Sequence, residues 1–169
     1  SGDRVVGRKL SKPQVDDKTA EIVTHYTEAY DESRRLTDGF GRFERARTLE
    51  LIARFLPAPS AVVLDVGGAS GVYSFGIAGL GHEVHLVDIV PKHIDQAKAR
   101  SVAPGMPALA SIRVGDARAL DFPIASVDVV LMHGPLYHCV LCVGIKPDRW
   151  PHDAPRRWRR GPGMRRRCA

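Results

Sequence analysis

The sequence has few of the features that mark secreted or membrane proteins. Its 169 residues include only three cysteines, too few for a disulfide scaffold, so we expect a reducing compartment. The first four residues, SGDR, lack the apolar core of a secretory signal. The longest candidate for a membrane span, residues 127–145, is interrupted by Asp128, His133, Pro135 and His138. These absences predict a cytoplasmic protein that does not cross a membrane.

The composition suits one folded domain with an unusual C-terminal charge. Hydrophobic residues make up 44% of the chain, which is enough for a packed core, and charged residues make up 26%. The net charge is +6, but residues 139–169, the C-terminal tail, hold nine basic and two acidic residues, or +7. Residues 1–138 hold the other 16 basic and 17 acidic residues, or −1. The basic character therefore belongs to the tail.

The tail lacks the pattern of a regular element, because prolines and glycines interrupt it. Its composition is typical of a GC-rich coding region read out of frame, so we hypothesise that the native frame is lost near His138 or Cys139. An alternative is that its arginines, with Trp150 and Trp158, bind nucleic acid, although a solvated tail has the same composition. A zinc site at Cys139 and Cys142 would need a second cysteine pair, so no metal is predicted.

The most informative stretch joins a predicted buried strand to a glycine-rich turn. Residues 62–66 (VVLDV) have the pattern of a strand, and residues 67–71 (GGASG) precede a helix-like segment. Such a turn brings backbone close to a ligand and points a helix N-terminus at it. A dinucleotide fingerprint needs glycine at the first, third and sixth positions, which here hold Gly67, Ala69 and Val72. An NAD site is therefore not favoured.

Three further strand ends carry polar residues. Residues 81–88 form a β-rich run that ends at Asp88, 17 positions after Gly71. In α/β nucleotide sites an acid meets the ribose hydroxyls at an offset of about 20 residues. Residues 112–117 predict a third strand that ends in Gly-Asp-Ala, and residues 126–138 predict a fourth strand that leads into a rigid turn. These segments together predict a βαβ arrangement with acids at the strand ends.

From Asp65 the turn has the pattern Asp-x-Gly-x-Ala-x-Gly. This pattern and the order of the strand ends resemble class I S-adenosylmethionine (SAM) dependent methyltransferases, with Ala69 where the family usually has its middle glycine. The resemblance covers residues 19–138 and implies an α/β, Rossmann-like sheet in the order 3-2-1-4, preceded by N-terminal helices. It also implies SAM as cofactor, S-adenosylhomocysteine (SAH) as product and a small-molecule methyl acceptor.

The resemblance also assigns roles to residues. Asp88 would hold the ribose, and Asp116 would contact adenine. The residues expected to bind the cofactor are Tyr26, Tyr30, Asp65, Gly67, Gly68, Ala69, Gly71, Asp88, Ile89, Asp116, Ala117 and His133. A general base is needed only if the acceptor must lose a proton, and the catalytic candidates are His133, Tyr137 and His138. Each residue has an ordinary alternative, such as a packing turn, a helix cap or a structural histidine.

Two helices are predicted before the first strand. Residues 19–35 place apolar side chains at helical spacing and resemble the N-terminal lid of small-molecule methyltransferases. The resemblance implies that Tyr26 and Tyr30 close over cofactor and substrate. The alternative is that this helix only packs on the sheet. Residues 43–55 predict a second amphipathic helix, stopped by the prolines that follow it. Residues 1–16 are expected to be flexible.

Two kinds of function remain open. In the first, residues 17–138 form the SAM-binding domain of a small-molecule methyltransferase, and residues 139–169 form a basic tail. In the second, the chain is a catalytically incompetent SAM-binding fragment, because the closing strands of the fold are missing. Their absence would leave the apolar edge at residues 129–131 unpaired and would favour oligomerisation, unless residues 139–145 cover it. Nucleic-acid binding through the tail is not favoured.

Overall fold

The computed structural model describes residues 17–28, 39–133 and 142–145 of the chain. The helices are α1 (Asp17–Glu28), α2 (Phe40–Phe55), α3 (Val72–Gly79) and α4 (Pro91–Ser101). The strands are β1 (Val62–Val66), β2 (Glu83–Asp88), β3 (Ser111–Val114), β4 (Val129–Met132) and β5 (Cys142–Ile145). Strands and helices alternate from β1 to β3, and this alternation produces a parallel sheet with helical crossovers.

The strands form one sheet in the order β3-β2-β1-β4-β5. β1 lies parallel to β2 and to β4, and β2 lies parallel to β3. The predicted Rossmann-like class and the strand order 3-2-1-4 are therefore confirmed. Because these four strands run in one direction, their carboxyl ends meet at one edge, and ligands bind beyond this edge in open α/β sheets.

The expectation of an unpaired edge on β4 is wrong. β5 lies antiparallel to β4, with Ile145 opposite Val129 and Cys142 opposite Met132. Residues 142–145, part of the segment named in the alternative, thus cover this edge. β5 lies inside the C-terminal tail, which the sequence predicts to be irregular. Because the backbone of β4 has a partner strand on each side, the argument for oligomerisation through this edge no longer holds.

Helices α2, α3 and α4 pack against one face of the sheet. On this face a buried cluster joins the strands to α2 and α3; its members are Ile52, Val63, Val72, Tyr73, Ile77, Val84, Val129 and Leu131. Leu86 of β2 packs on Ile94 and Ala97 of α4. The opposite face is covered, among the described residues, by the segment after β3, in a cluster of Leu64, Val66, Val87, Leu120, Phe122, Val127, Val130 and Met132. Each fully buried aliphatic side chain contributes about 1.5–3 kcal/mol to this packing.

The helix boundaries follow local signals. Pro91 occupies the first turn of α4, where its missing N–H costs nothing. α2 begins at Phe40, three residues before the predicted start, and buries Ile52, whereas Ala46 of the predicted apolar face is exposed. α1 ends at Glu28, and the rest of the predicted helix lies outside the described residues. No helix within residues 17–28 or 39–133 has both the length and the hydropathy of a membrane span.

Candidate functional site

Backbone hydrogen bonds join the glycine-rich turn to the neighbouring strand end. The N–H of Gly67 donates to the carbonyl of Val87 (2.7 Å), and the N–H of Gly71 donates to the carbonyl of Gly68 (2.9 Å). Gly67, Ala69 and Gly71 have φ angles of 72°, 49° and 76°. This alternation of left-handed residues folds the chain sharply from β1 into α3. The turn therefore lies at the carboxyl edge of the sheet, where the sequence predicts the nucleotide site.

Gly68 lies where no side chain fits. A Cβ at this position would be 2.5 Å from Oδ2 of Asp65 and 2.5 Å from Cδ1 of Leu86. Both distances are far inside van der Waals contact, so any other residue would displace the acid or the turn. The backbone of the turn thus lies directly on a buried carboxyl group.

Asp65 supports the turn from the interior of the protein. Its side chain is buried, and the hydroxyl of Ser74 on α3 donates to its Oδ2 (2.6 Å). Burial raises the pKa of Asp65 to about 6. The hydrogen bond from Ser74 lowers this pKa, and the negative charge of Asp88 raises it further. The structure therefore places Asp65 beneath the turn and away from its outer surface.

Asp88 joins the end of β2 to the turn. Its Oδ2 accepts from the N–H of Ala69 (2.9 Å), and its Oδ1 accepts from the N–H of Val90 (2.8 Å). Nδ1 of His93 lies 3.2 Å from Oδ1. A carboxylate offers about four acceptor positions, and three of them are used by these partners. Room remains for one ribose hydroxyl. Ile89, the next residue, is half-buried.

His93 lies at the site, although the sequence pattern did not predict it. It lies in the first turn of α4 and is 5% exposed, and its ring packs edge-on against Tyr26 of α1 (centroids 5.8 Å apart). Its Nε2 and the hydroxyl of Ser70 in the turn are buried and have no hydrogen-bond partner in the described part of the chain. A buried polar atom without a hydrogen-bond partner costs about 1–3 kcal/mol of folding free energy, so such atoms commonly bind a water or a ligand.

Asp116 follows β3 at the same edge of the sheet. The backbone N–H of Gly115 donates to the carbonyl of Asp88 (2.9 Å), which holds the ends of β2 and β3 together. The carboxylate of Asp116 forms an ion pair with Arg118 (2.6 Å), which the sequence reading also missed. Ala117 between them is exposed. The two predicted acids therefore lie at adjacent strand ends, each with a basic side chain beside it.

Helix α1 reaches this edge through long side chains. Nη2 of Arg118 donates to the hydroxyl of Thr19 (2.8 Å) near the start of α1. Nζ of Lys92 donates to the carbonyl of Thr27 (2.7 Å) near its end. α1 is thus attached to the segments that follow β2 and β3.

The comparisons with known proteins agree with this geometry. Residues 63–142 match the family model for a methyltransferase domain. The matched segment contains the glycine-rich turn, both strand-end acids and β4. Residues 63–142 form a methyltransferase domain. No curated protein matches the sequence.

Solved structures share the fold of this methyltransferase domain. Phosphoethanolamine N-methyltransferase 1 of Haemonchus contortus, solved with phosphoethanolamine and SAH, aligns with 69% of this chain at 19% identity and a TM-score of 0.55. Magnesium protoporphyrin IX methyltransferase of Synechocystis PCC 6803, with bound SAM, also aligns with 69% of it at 19% identity, with a TM-score of 0.53. A protein of Pyrococcus horikoshii OT3 is 28% identical over 60% of this chain, with a TM-score of 0.50. This chain spans 24%, 61% and 50% of their respective lengths.

Among the catalytic candidates of the methyltransferase domain, the structure describes His133. It follows β4 at the carboxyl edge, and its ring lies edge-on to that of Tyr73 on α3 (centroids 4.9 Å apart). The sequence predicts Tyr73 only as part of a helix-like segment. Tyr137 and His138, and the lid candidate Tyr30, lie outside the described residues.

Ala69 gives a test of the turn conformation. A non-glycine residue at a left-handed φ costs about 1 kcal/mol or more, while glycine costs about 0.5–1 kcal/mol of additional chain entropy on folding. For Ala69→Gly these terms oppose each other, so we expect a change in unfolding free energy within about 0.5 kcal/mol. Ala110→Gly is the control, because Ala110 is exposed and is not among the residues with positive φ. Urea denaturation of Ala110→Gly should show a loss in unfolding free energy close to the full glycine cost of about 0.5–1 kcal/mol. An equal loss in both variants would contradict the turn geometry.

Proposed function

We propose that the chain binds SAM at the carboxyl edge of β1, β2 and β3 and transfers its methyl group to a small-molecule acceptor. The observation that carries the proposal is the contact between Asp88 and the backbone N–H of Ala69 (2.9 Å). It brings a strand-end carboxylate against a glycine-rich turn, and this pairing suits a nucleoside, with the sugar on the acid and the remaining groups along the turn.

The residues at this edge fit such a ligand in three ways. Gly68 lets the turn lie directly on the buried side chains of Asp65 and Leu86, which fixes the position of the backbone that a ligand would meet. The buried atoms Ser70 Oγ and His93 Nε2 are without partners in the described ranges and could bond a polar ligand. Asp88 and Asp116 place carboxylate oxygens at adjacent strand ends, where they can accept from the hydroxyl and amino groups of a nucleoside.

We assign the following tasks to the residues of the chain. Asp88 accepts one ribose hydroxyl, Asp116 accepts from the adenine amino group, and backbone groups of the turn face the amino-acid part. Tyr26 on α1 covers the nucleoside from the side opposite the sheet, with His93 beneath it. These tasks rest on the resemblance and on the positions described above.

When bound, SAM supplies a methyl carbon that is already electrophilic. The chain therefore needs to align an acceptor with the C–S bond and to exclude water. We propose that His133 and, beyond the described residues, Tyr137 and His138 face the acceptor, and that one of them removes a proton where the acceptor must lose one. We propose no narrower class of acceptor than a small molecule. Two of the fold neighbours are named for very different substrates, phosphoethanolamine and magnesium protoporphyrin IX.

Isothermal titration of the full chain with SAM, SAH and NADH tests the binding step. We expect SAM and SAH to bind and NADH not to bind, because the turn departs from the dinucleotide fingerprint. A well-folded sample with no affinity for SAM and SAH would remove the proposal. Methyl transfer from labelled SAM to a panel of metabolites then separates an active enzyme from a fragment that binds without turnover.

A further inference from the structure

Two adjacent residues of α4 contact two adjacent residues of α1. Nζ of Lys92 donates to the carbonyl of Thr27 (2.7 Å), and the ring of His93 lies edge-on to that of Tyr26 (centroids 5.8 Å apart). Lys92 and His93 lie in the first turn of α4, and Tyr26 and Thr27 lie in the last turn of α1. One junction of four residues therefore joins the end of α1 to the helix that follows β2.

The junction leads directly to the proposed cofactor site. Nδ1 of His93 lies 3.2 Å from Oδ1 of Asp88, and Oδ2 of the same carboxylate accepts from the N–H of Ala69 in the glycine-rich turn (2.9 Å). His93 is buried, so its ring is held in place by its surroundings. The position of Tyr26 relative to Asp88 therefore depends on how the last turn of α1 is held against α4.

Few other contacts hold α1. The helix has 12 residues, a length at which an isolated helix is only marginally stable in water. Within residues 19–28, Thr19 is buried, Val23 and Tyr26 are half-buried and the other side chains are exposed. A segment with so few buried apolar contacts opens at a low cost in free energy. Near its start Thr19 accepts from Arg118 (2.8 Å), so the last turn depends on the junction with α4.

We propose that Lys92 is a positioning residue for cofactor binding, because its bond to Thr27 holds Tyr26 against the bound nucleoside. This proposal rests on the proposed function, which takes Tyr26 as the cover of the nucleoside. The ammonium group of Lys92 lies at the C-terminal end of α1, where the last carbonyl groups of a helix have no partner within it and the helix dipole is negative. Lys92 and the cofactor thus stabilise the same arrangement of α1, and by linkage each strengthens the other.

Lys92→Met tests this role in the full chain. We expect SAH to bind roughly twofold to fivefold more weakly, the range that the contact of one exposed cation permits. The loss should lie in a faster dissociation rate, because α1 retains bound ligand and SAH has no net charge that Lys92 could attract at long range. Stopped-flow binding of SAH measures both rates.

Lys98→Met is the matched control. Lys98 is exposed in the last turn of the same helix, so its substitution removes the same charge at the other end of α4. Its SAH affinity should stay within about 1.5-fold of the original, and Lys92→Arg, which keeps a charged donor, should recover most of the affinity lost in Lys92→Met. Equal affinities and dissociation rates in Lys92→Met and Lys98→Met overturn the proposal.

A double-mutant cycle with Tyr26→Ala tests whether Lys92 acts through Tyr26. In the Tyr26→Ala chain there is no ring to hold in place, so adding Lys92→Met should change the SAH affinity by less than about 1.5-fold. A general structural effect of Lys92 would instead lower the affinity by the same factor with and without Tyr26. That result would overturn the proposal.

Hydrogen exchange at the amides of residues 24–28 reports on the last turn of α1 itself. Lys92→Met should speed this exchange in the absence of ligand, and SAH should slow it in the unsubstituted chain. Exchange that neither the substitution nor SAH changes would contradict the proposal. If the unsubstituted chain does not bind SAH, the proposed function fails and the role of Lys92 fails with it. If that chain binds SAH and Lys92→Met matches Lys98→Met, only the role of Lys92 fails.

Discussion

Replacement of Asp88 by alanine should lower the affinity of the chain for SAH by about a hundredfold or more. The carboxylate is expected to accept one ribose hydroxyl, and a hydrogen bond to a charged group contributes about 1.5–3 kcal/mol. It also holds the turn through the N–H of Ala69 (2.9 Å), so its loss adds the cost of ordering the turn on binding. A hundredfold change corresponds to roughly 2.8 kcal/mol, which lies near the upper end of the hydrogen-bond range, and the cost of ordering the turn adds to it. Titration with SAH measures the affinity.

The same substitution should destabilise the fold. The N–H of Val90 donates to Asp88 in the interior (2.8 Å), and alanine would leave this group and Nδ1 of His93 without their acceptor. Each buried donor without a partner costs about 1–3 kcal/mol, so for these two donors we expect a loss of about 2–6 kcal/mol in unfolding free energy. Urea denaturation checks this value, and titrations are made where both proteins are folded.

Asp128→Ala is the matched control for the binding effect. Asp128 is also buried, and its Oδ2 accepts from the N–H of Val62 (3.0 Å), at the amino edge of β1 and β4. It is therefore a buried acid that binds a backbone N–H at the opposite end of the sheet. We expect lower stability with SAH affinity within about twofold of the original. If the two variants lost affinity equally, the effect of Asp88 would reflect general destabilisation and the ribose contact would be rejected.

Much of the fold could be predicted because its signals are local. The strand over residues 62–66, the acid at the end of β2 and the helix stop before Pro57 each depend on residues close in sequence. β5 could not be predicted as a strand in the same way, because Cys142–Ile145 is short and its place depends on pairing with β4. The apolar spacing in α2 also did not show that Phe43 would be 75% exposed.

The candidate site shows a similar division. The order of the strand ends predicted which acids would lie at the carboxyl edge, since parallel strands bring those ends together. It did not predict the partners of those acids. Asp65 meets Ser74 only because α3 turns back over β1, and Arg118 reaches Thr19 across 99 positions of sequence. Spacing locates a carboxylate, whereas its hydrogen-bond partners depend on the packed structure.

Asp65→Asn should stabilise the protein at neutral pH, by up to about 3 kcal/mol. Burial raises the pKa of Asp65 from its ordinary 3.8 to about 6, and each pKa unit corresponds to about 1.4 kcal/mol. The folded state binds this proton more tightly than the unfolded state. The contribution of Asp65 to the unfolding free energy is therefore highest below pH 3.8. It falls as the pH rises to about 6 and is constant above that pH. Asparagine is neutral throughout and avoids this loss.

The expected signature is a difference between two pH profiles. Unfolding free energies of the two proteins should agree near pH 4 and diverge up to about pH 6.5, with Asp65→Asn the more stable. Comparing the profiles cancels the other carboxyl groups, which titrate in both proteins. Ser74→Ala is the companion variant: it removes the hydrogen bond that lowers the pKa of Asp65, so the same fall should continue to higher pH and become larger. A constant offset between the Asp65→Asn and original profiles across this range would show that Asp65 does not bind the proton, and that the turn rests on a charged carboxylate.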